Sequence, residues 1–541
     1  MRRPLWIPWR WWRRAAQLVL LLLFLWLFRR TEYGSSNELA GGENLFFRLD
    51  PLVGATAMLA ARQFLAAFWP AALLLALTLL FGRFFCGWIC PLGTLLDYFH
   101  RLVRPLARTS NRYCEAKLPQ RAEETLRATR YVLLLAILVA AVFSVQLVGY
   151  FDPFGLLFRG LTFAGDSHLD RSASWALERV VSDEAVGDWQ HWAREEWHLL
   201  PRQGQIFQLA GLSAALLGAI FALEFVARRF WCRHLCPTGA VFGLFAARTW
   251  IKRLPNKVCR ACDQCAVDCR MQAHRSETDF LNQACNLCMN CVDDCAKGIV
   301  QFRPKQAKPS KGPRRQPVDL SRRGVLVGLA AGVTLPAATM VGRLGRAGTL
   351  DPYLLRPPGA GDEPTFLDLC IRCGECMKVC PTNVLQPTML EAGIEGMFSP
   401  RLVPRFIFEK SYCEFTCTLC GQVCPTGAIP RLTEEEKHKQ PTGKAYFDHA
   451  LCLPWAENTP CIRCEEMCPT PEKAIKILRT FTIKGPDGEE VEIHQPYVDR
   501  DLCVGCGICE SNCTLEGKPA IRVVRVDAAD PGTETQRQAR G

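Results

Sequence analysis

Residues 370–381 read Cys370-Ile371-Arg372-Cys373-Gly374-Glu375-Cys376-Met377-Lys378-Val379-Cys380-Pro381. In a C-x2-C-x2-C-x3-C run, three thiolates two residues apart wrap one cubane within a single loop, and the fourth enters a helix and ligates a partner cluster. Proline after the fourth cysteine suits that helix, because its missing N–H costs nothing in the first turn. Five more quartets follow the same arithmetic: Cys259, Cys262, Cys265, Cys269; Cys285, Cys288, Cys291, Cys295; Cys413, Cys417, Cys420, Cys424; Cys452, Cys461, Cys464, Cys468; and Cys503, Cys506, Cys509, Cys513. Four of the six keep the strict run, two stretch only the first gap, and Pro425 and Pro469 repeat Pro381. Zinc sites usually set two C-x2-C pairs a dozen or more residues apart. Three or four thiols this close cannot all pair locally as disulfides without strain, although disulfides stay conceivable in the second half of the chain. The quartets predict six [4Fe–4S] clusters. Exchange of the fourth ligand pairs Cys259, Cys262, Cys265 with Cys295, and Cys285, Cys288, Cys291 with Cys269. For the last four quartets the spacing permits more than one order of exchange.

The 541 residues are 49% hydrophobic and 22% charged, which excludes a disordered or fibrous chain and suggests three or four domains. Lys and Arg (65) exceed Asp and Glu (53), for a net charge of +12. Much of this charge flanks apolar segments, where the positive-inside rule puts it, so nucleic acid is not the expected partner. Apolar segments run from about Ala15 to Phe28, Phe64 to Phe81, Tyr131 to Gly149 and Ile206 to Ala227. The first is short against the ~20 residues that span a bilayer. A cleaved signal peptide is its alternative reading, but no clear small-residue cleavage site follows. Loop charge orients the chain: Lys/Arg against Asp/Glu is 9 to 4 over 83–130, 5 to 9 over 150–204 and 19 to 7 over 228–323. The first and last of these regions read as cytoplasmic and the middle one as periplasmic, with the N-terminus inside. After a Lys/Arg/Pro linker (Arg303 to Pro317), Ser321-Arg322-Arg323-Gly324-Val325-Leu326 opens a mildly apolar stretch reaching Val341. That is a twin-arginine export signal inside the chain, the alternative being a chance Arg pair before a buried helix. Export in folded form would carry cytoplasmically assembled clusters across, and everything after about 342 would be periplasmic.

Four further cysteines form a repeated motif, Cys86-Gly87-Trp88-Ile89-Cys90-Pro91 and Cys232-Arg233-His234-Leu235-Cys236-Pro237, closing the second and fourth apolar segments. Two such pairs meeting across a bundle would hold a seventh cluster; redox-active or structural dithiols, or a copper site, are the alternatives. Cys114 reads as a plain loop cysteine. No C-x-x-C-H, Walker A or strand-linked G-x-G-x-x-G occurs, so c-type haem and nucleotide are not expected. None of the nine His lies mid-segment, and His234 reads as a partner to backbone or headgroup rather than a ligand. No nucleophile–base constellation is visible and no catalytic residue is expected. Electron transfer is the chemistry, with a quinol as the only organic substrate.

The fold class that follows is a membrane α-helical bundle of four helices plus a fifth anchor helix, followed by α+β ferredoxin-like iron–sulfur domains. The expected divisions are 1–250 (transmembrane domain), 251–302 (cytoplasmic two-cluster ferredoxin), 303–320 (basic linker), 321–342 (anchor), 343–525 (periplasmic four-cluster domain) and 526–541 (disordered tail).

These residues resemble a known family. Residues 1–300, with four helices, two Cys-x3-Cys-Pro motifs and a two-cluster domain, look like NapH-type membrane ferredoxins. Residues 320–525 resemble the NapG-type (MauM/NapG-like) exported four-cluster proteins, with Arg356-Pro357-Pro358-Gly359-Ala360 ahead of the Cys370 quartet as in that family. The resemblance implies a fusion of usually separate subunits. It implies a quinol dehydrogenase module in the bacterial inner membrane, feeding a periplasmic redox partner: a multihaem cytochrome or a molybdenum reductase such as periplasmic nitrate reductase. It also implies a nested exchange, Cys370, Cys373, Cys376 with Cys513; Cys503, Cys506, Cys509 with Cys380; Cys413, Cys417, Cys420 with Cys468; and Cys452, Cys461, Cys464 with Cys424. Arg270 and Ala296 stand where the family pattern has proline. A copper reductase acting on the cytoplasmic side, and an electron donor for maturation of another metalloenzyme, are the rival functions. The sequence also leaves a gap: ~30 Å of hydrocarbon with no visible cofactor ligand between the two sets of quartets.

Overall fold

The computed structural model describes residues 8–34, 37–39, 41–107, 120–166, 205–255, 269–274, 280–295, 300–304, 322–346, 351–406, 411–484 and 489–527. Cys114, Cys259, Cys262, Cys265, Ser321, residues 305–320 of the linker and residues 528–541 of the tail lie outside them. Helix α1 (Trp9–Arg30) runs unbroken through the first apolar segment. Helix α2 (Pro51–Ala61) starts on Asp50, whose carboxylate accepts from Leu52 N and Val53 N, with Pro51 in the first turn. Helix α3 (Trp69–Phe81) stops at Gly82, which takes φ +93°. Helix α4 (Pro91–Ala107) starts on Cys90, whose Sγ accepts from Gly93 N at 3.5 Å. After α5 (Gln120–Val142) and the single turn α6 (Val148–Phe151), helix α7 (Pro153–Gly160) starts on Asp152, which accepts from Gly155 N at 2.7 Å. Helix α8 (Ala210–Ala222) precedes α9 (Pro237–Ala246), which starts on Cys236, its Sγ accepting from Gly239 N at 3.2 Å. Each half of the bundle thus starts one short helix with Asp-Pro and another with Cys-Pro.

The expected four spans are unequal in the structure. Among the described residues two helices, Trp9–Arg30 and Ala122–Val142, are long and apolar enough to cross a membrane. At 13 residues each, α3 and α8 rise only about 20 Å. Gly82 ends the first, and a short turn at Leu223–Phe225 follows the second. The third segment also shifts: its helix begins at Gln120 and ends at Val142, before a kink where Ser144 takes φ +59°.

Helix α10 (Arg322–Arg346) opens on the paired arginines and lies along α5 in the same direction. A Cβ at Gly328 would touch Val132 O (3.1 Å), and one at Gly332 would touch Val139 Cβ (2.7 Å) and Ala136 O (3.0 Å), so small residues four apart let the two backbones meet.

A ferredoxin-type segment sits at each end of the bundle. At the first end, β1 (Ile251–Pro255) pairs antiparallel with β2 (Val300–Pro304). Here Arg83 Nη1 donates to Gln283 O (3.0 Å), Trp88 Nε1 to Leu287 O (2.9 Å) and Arg127 Nη2 to Gln272 O (2.7 Å). The other end receives residues 351–527. That unit contains α11 (Glu363–Leu369) and three two-stranded antiparallel sheets: β3 (Leu385–Pro387) with β4 (Pro400–Leu402), β5 (Lys444–Phe447) with β8 (Ile521–Val524), and the hairpin β6 (Ile475–Lys484) with β7 (Glu490–Val498). Its core gathers Phe366, Met377, Leu419, Ile475 and Val498 among the cysteines. The bundle core stacks Phe85 on Phe242 (centroids 5.0 Å apart) and runs without a break from Cys236 to Ile371 and Cys373 of the second unit.

The docking of that unit is polar as well as apolar. The buried Arg372 donates to Gln146 O and Glu395 O, Arg159 Nη1 donates to Gly149 O (3.2 Å) and Arg372 O (3.1 Å), and Lys378 Nζ pairs with Glu32 (2.9 Å) and Asp166. Two glycines make both dockings close. A Cβ on Gly87 would lie 2.1 Å from Asn286 O, between Cys285 and Cys288, and one on Gly149 would lie 2.1 Å from Ile371 O, between Cys370 and Cys373.

Candidate iron–sulfur sites

Two of the cysteine loops in residues 351–527 turn through left-handed backbone at two residues each. Arg372 (φ +57°) and Gly374 (φ +95°) bend the Cys370 loop, and Gly505 (φ +74°) and Gly507 (φ +78°) bend the Cys503 loop, so that successive thiols face one space. Cys370, Cys373, Cys376 and Cys424 line one cavity of about 340 Å³. Cys380, Cys413, Cys417 and Cys420 line another of about 360 Å³, and Cys468, Cys503, Cys506 and Cys509 a third of about 350 Å³. The fourth set forms where Cys452 faces Cys461 and Cys513, with Cys464 beside them.

This corrects the nested exchange. The structure brings Cys424, not Cys513, to the Cys370 loop; Cys380, not Cys468, to the Cys413 loop; Cys513, not Cys424, to the Cys452 loop; and Cys468, not Cys380, to the Cys503 loop. Neighbouring quartets exchange reciprocally, Cys380 with the loop that follows it and Cys424 with the loop before it, and likewise Cys468 and Cys513, so every closure spans fewer residues than those of the outer pair in the nested order. The four sets then form a row. Cys376 faces Cys420 of the second set, Cys413 N donates to Cys506 O of the third (2.8 Å), and Cys509 faces Cys464 of the last. The first set is pressed against the bundle, and the last carries the exposed stretch 456–460 and Ile462.

Burial raises every one of these thiols that shifts: Cys452, Cys464 and Cys506 to about 12 and Cys417 to about 11, with neighbouring thiols adding to the effect. Four thiolates around one apolar space need a cation to hold them ionised. A single ion does not fit, since tetrahedral zinc would draw the sulfurs to about 3.8 Å from one another. Among the described residues no three Cys, His, Asp or Glu converge tightly enough to chelate one ion. A ring of four thiols around an open cavity suits a cubane instead.

Cations clamp the loops. Lys437 Nζ donates to the carbonyls of Glu414, Phe415 and Cys417, and Lys473 Nζ to those of Glu465, Glu466 and Cys468. Lys444 holds Arg500 O and Cys503 O, and Arg405 holds Cys513 O and Leu515 O. These clamps escaped the sequence reading, as did the threonine two residues after Cys380, Cys424 and Cys468. Thr470 Oγ1 accepts from Ala474 N (3.0 Å) and lies 3.2 Å from Cys468 Sγ, so its hydrogen is left for the sulfur. Thr382 and Thr426 instead donate to Tyr412 O and Leu369 O. The repeated Cys-Pro-Thr tripeptide was the available signal.

At the bundle's first end, Cys86, Cys90, Cys232 and Cys236 lie together. Cys269 lies beside Cys285, Cys288 and Cys291, whereas Cys295 cannot be compared with its expected partners, which lie outside the described residues. Between the two sets, Asp97 accepts from Arg229 (3.0 and 2.8 Å), Arg270 and Gln17 (3.1 Å), and Arg229 also holds Cys86 O (3.0 Å) and Gly93 O (2.8 Å). His234 pairs with Glu123 (3.1 Å) rather than with backbone or headgroup.

Comparison with known proteins agrees with these placements. Residues 63–109 and 209–257, which hold the two Cys-x3-Cys motifs, both match the family described as "4Fe-4S binding domain". Residues 369–428 match the "4Fe-4S dicluster domain", which spans the first two neighbouring quartets. The chain is 36% identical over 221 residues to the methylamine utilization ferredoxin-type protein MauM of Methylorubrum extorquens, covering 40% of this chain and 91% of that protein. It is 32% identical over 230 residues to the ferredoxin-type protein NapG of Escherichia coli, covering 42% of this chain and 90% of that one. Against the ferredoxin-type protein NapF of Escherichia coli it is 32% identical over 162 residues, 30% of this chain and 80% of that protein. No solved structure matches.

Proposed function

The chain belongs to the family of ferredoxin-type iron–sulfur proteins that includes MauM and NapG, and from that premise we propose that it is a membrane-bound electron conduit, a NapH-type bundle fused to a NapG-type domain. Electrons enter from quinol at the bundle and leave for a periplasmic oxidoreductase, of the nitrate reductase or multihaem cytochrome kind. The single observation that carries this reading is the row of four-cysteine sites, its first member seated on the bundle core and its last at the surface.

The six quartets hold six [4Fe–4S] clusters, and Cys86, Cys90, Cys232 and Cys236 hold a seventh. Bound there, the clusters supply one-electron carriers. The chain's own residues fix the spacing and tune the sites: Arg159 and Arg372 lock the first site to the bundle, Lys437 and Lys473 stiffen the loops, and Thr470 donates to a ligand sulfur. Apolar residues facing outward on α1 (Leu18, Val19, Leu22) and α10 (Leu326, Val327, Val333) support a place in the bilayer. Charge asymmetry supports an inside N-terminus and export of residues 343–525 on the twin-arginine signal.

An anaerobic titration of the purified, iron-quantified protein with a reduced quinol, followed by EPR, tests the proposal. Cluster reduction that a quinol-site inhibitor blocks is the expected result. Full iron occupancy with no response to quinol overturns it.

A further inference from the structure

The centre of the bundle holds two carboxyl groups that electron transfer alone does not require. Asp50 and Asp152, 0% and 1% exposed, adjoin one another where α2 and α7 begin. Asp50 accepts from Leu52 N (2.7 Å) and Val53 N (3.3 Å) through Oδ1, while its Oδ2 has no hydrogen-bond partner. Asp152 accepts from Gly155 N through Oδ2, and Thr238 Oγ1 lies 3.4 Å from its Oδ1. Thr238 stands two residues beyond Cys236 in the Cys-Pro-Thr segment that opens α9.

The surroundings make two negative charges here untenable. Helices α2, α3, α8 and α9 contain no charged residue. The charged or titratable groups nearby come from other elements: Arg159 on α7, which faces Asp152; Arg48 ahead of α2; Tyr150 on α6; Arg130 and Tyr131 on α5; and Arg83 beside Cys86. Arg159 donates to Gly149 O and Arg372 O through Nη1 alone and keeps a buried Nη2 without a hydrogen-bond partner, whereas Arg83 is bonded to Gln283 O and Arg130 to Tyr131, so one cation faces the pair. Two adjoining carboxyls in a dry interior with one cation facing them keep one proton between them, and such groups inside a membrane protein are a proton site before they are a stabilising element.

We propose that Asp50 and Asp152 form a proton store coupled to the Cys86/Cys90/Cys232/Cys236 site. If that site takes one electron from a reduced iron–sulfur centre of the same chain, the pair takes up one proton from water; when the electron passes on to the next, oxidised iron–sulfur centre of the chain, the pair gives the proton back to water. Charge added at the cysteines is thereby balanced within two residues of Cys236, through the Thr238–Asp152 contact. The proposal rests on the reading of these cysteines as a redox centre.

The test is an EPR-monitored potential titration of the intact, cluster-loaded protein at several pH values, with reduction-induced infrared difference spectra of carboxyl bands. The centre's own signal is identified as the one that Cys86→Ser removes. In the unaltered chain the midpoint of that signal falls with pH as one proton per electron, a tenfold change in proton activity converting to about 59 mV, and a protonated-carboxyl band grows on reduction. Asp152→Asn and Asp50→Asn, which keep a helix-capping side chain, flatten the slope and lose the band while iron content stays whole. A pH-independent midpoint for a centre that Cys86→Ser does remove overturns the proton store and leaves the conduit standing. Unchanged iron and spectra in Cys86→Ser overturn the seventh centre and the proton store together.

Discussion

Gly149→Ala is the most direct perturbation of the junction between the bundle and residues 351–527. Gly149 does not adopt the left-handed backbone region, so alanine meets no backbone penalty there. The added Cβ falls 2.1 Å from Ile371 O, 2.9 Å from Ile371 C and 3.3 Å from Arg372 Cβ. The two nearest are backbone atoms and cannot rotate away, so the Cys370–Cys373 loop must retreat by about 1.3 Å to restore an ordinary 3.4 Å contact. That retreat takes the Arg159 bond to Arg372 O, now 3.1 Å, beyond hydrogen-bonding distance and strains the Arg372 bond to Gln146 O. Overpacking costs about 1–3 kcal/mol, and a hydrogen bond to a charged group is worth about 1.5–3 kcal/mol. Partial relaxation puts the net cost at about 2–4 kcal/mol, which is roughly a 30- to 1000-fold rise in the undocked fraction. Hydrogen–deuterium exchange reads this directly. Amides of 369–376 and 146–152 are expected to exchange faster by that factor, while β6 and β7, remote from the junction, keep their rates. Unchanged protection across 369–376 would refute the docked geometry.

Three further outcomes follow from the same contacts. Cys380→Ala combined with Cys413→Ala strikes one site in the observed exchange and two in a nested one, so about four rather than about eight iron atoms are expected to be lost, counted by iron analysis and Mössbauer spectroscopy. Thr470→Val removes a hydroxyl placed to donate to Cys468 Sγ and is expected to lower the potential of the Cys468/Cys503/Cys506/Cys509 centre, whereas Thr426→Val, whose hydroxyl donates to Leu369 O, is not, which an EPR titration of both variants decides. Asp97→Asn strips the partner from the buried Arg229 and Arg270 and is expected to cost about 3–5 kcal/mol, read as a clear fall in Tm of the detergent-solubilised protein.

Cysteine spacing was legible because ligation is local: three thiols two residues apart reach one space whatever surrounds them. Which fourth cysteine joins them was not, since Cys424 and Cys513 stand in equivalent runs and only the packed core chooses between them. The internal repeat was half read. The paired Cys-x3-Cys-Pro motifs announced it, but Asp50-Pro51 and Asp152-Pro153 look like ordinary turn dipeptides until α2 and α7 bring them face to face. Hydropathy measures apolar length and not continuity, so the helix of the second segment begins only at Trp69 and Ser144 divides a third segment that composition alone joined. Docking through Gly87 and Gly149 was beyond reach, because each contact joins residues some two hundred positions apart.

The structure shortens the gap that the sequence left between the two sets of cysteines. Cysteines following apolar segments were expected at the cytoplasmic ends of full spans, with ~30 Å of hydrocarbon between them and the exported sites. In the structure Gln17, two turns into α1, donates to Gly87 O (3.0 Å), so the Cys86 loop at the bundle's first end is set two turns in from the start of α1. From the other end, Ile371 O of the Cys370 site touches Gly149, three residues from Asp152, which meets Thr238 (3.4 Å), two residues from Cys236. One helical step, one contact and two residues of chain amount to about 15 Å. Phe154 and Val148 belong to the continuous apolar core along that route. The chain therefore brings the two sets of cysteines together from opposite faces. The acid pair stands between them, where a proton can offset the charge of an electron in passage.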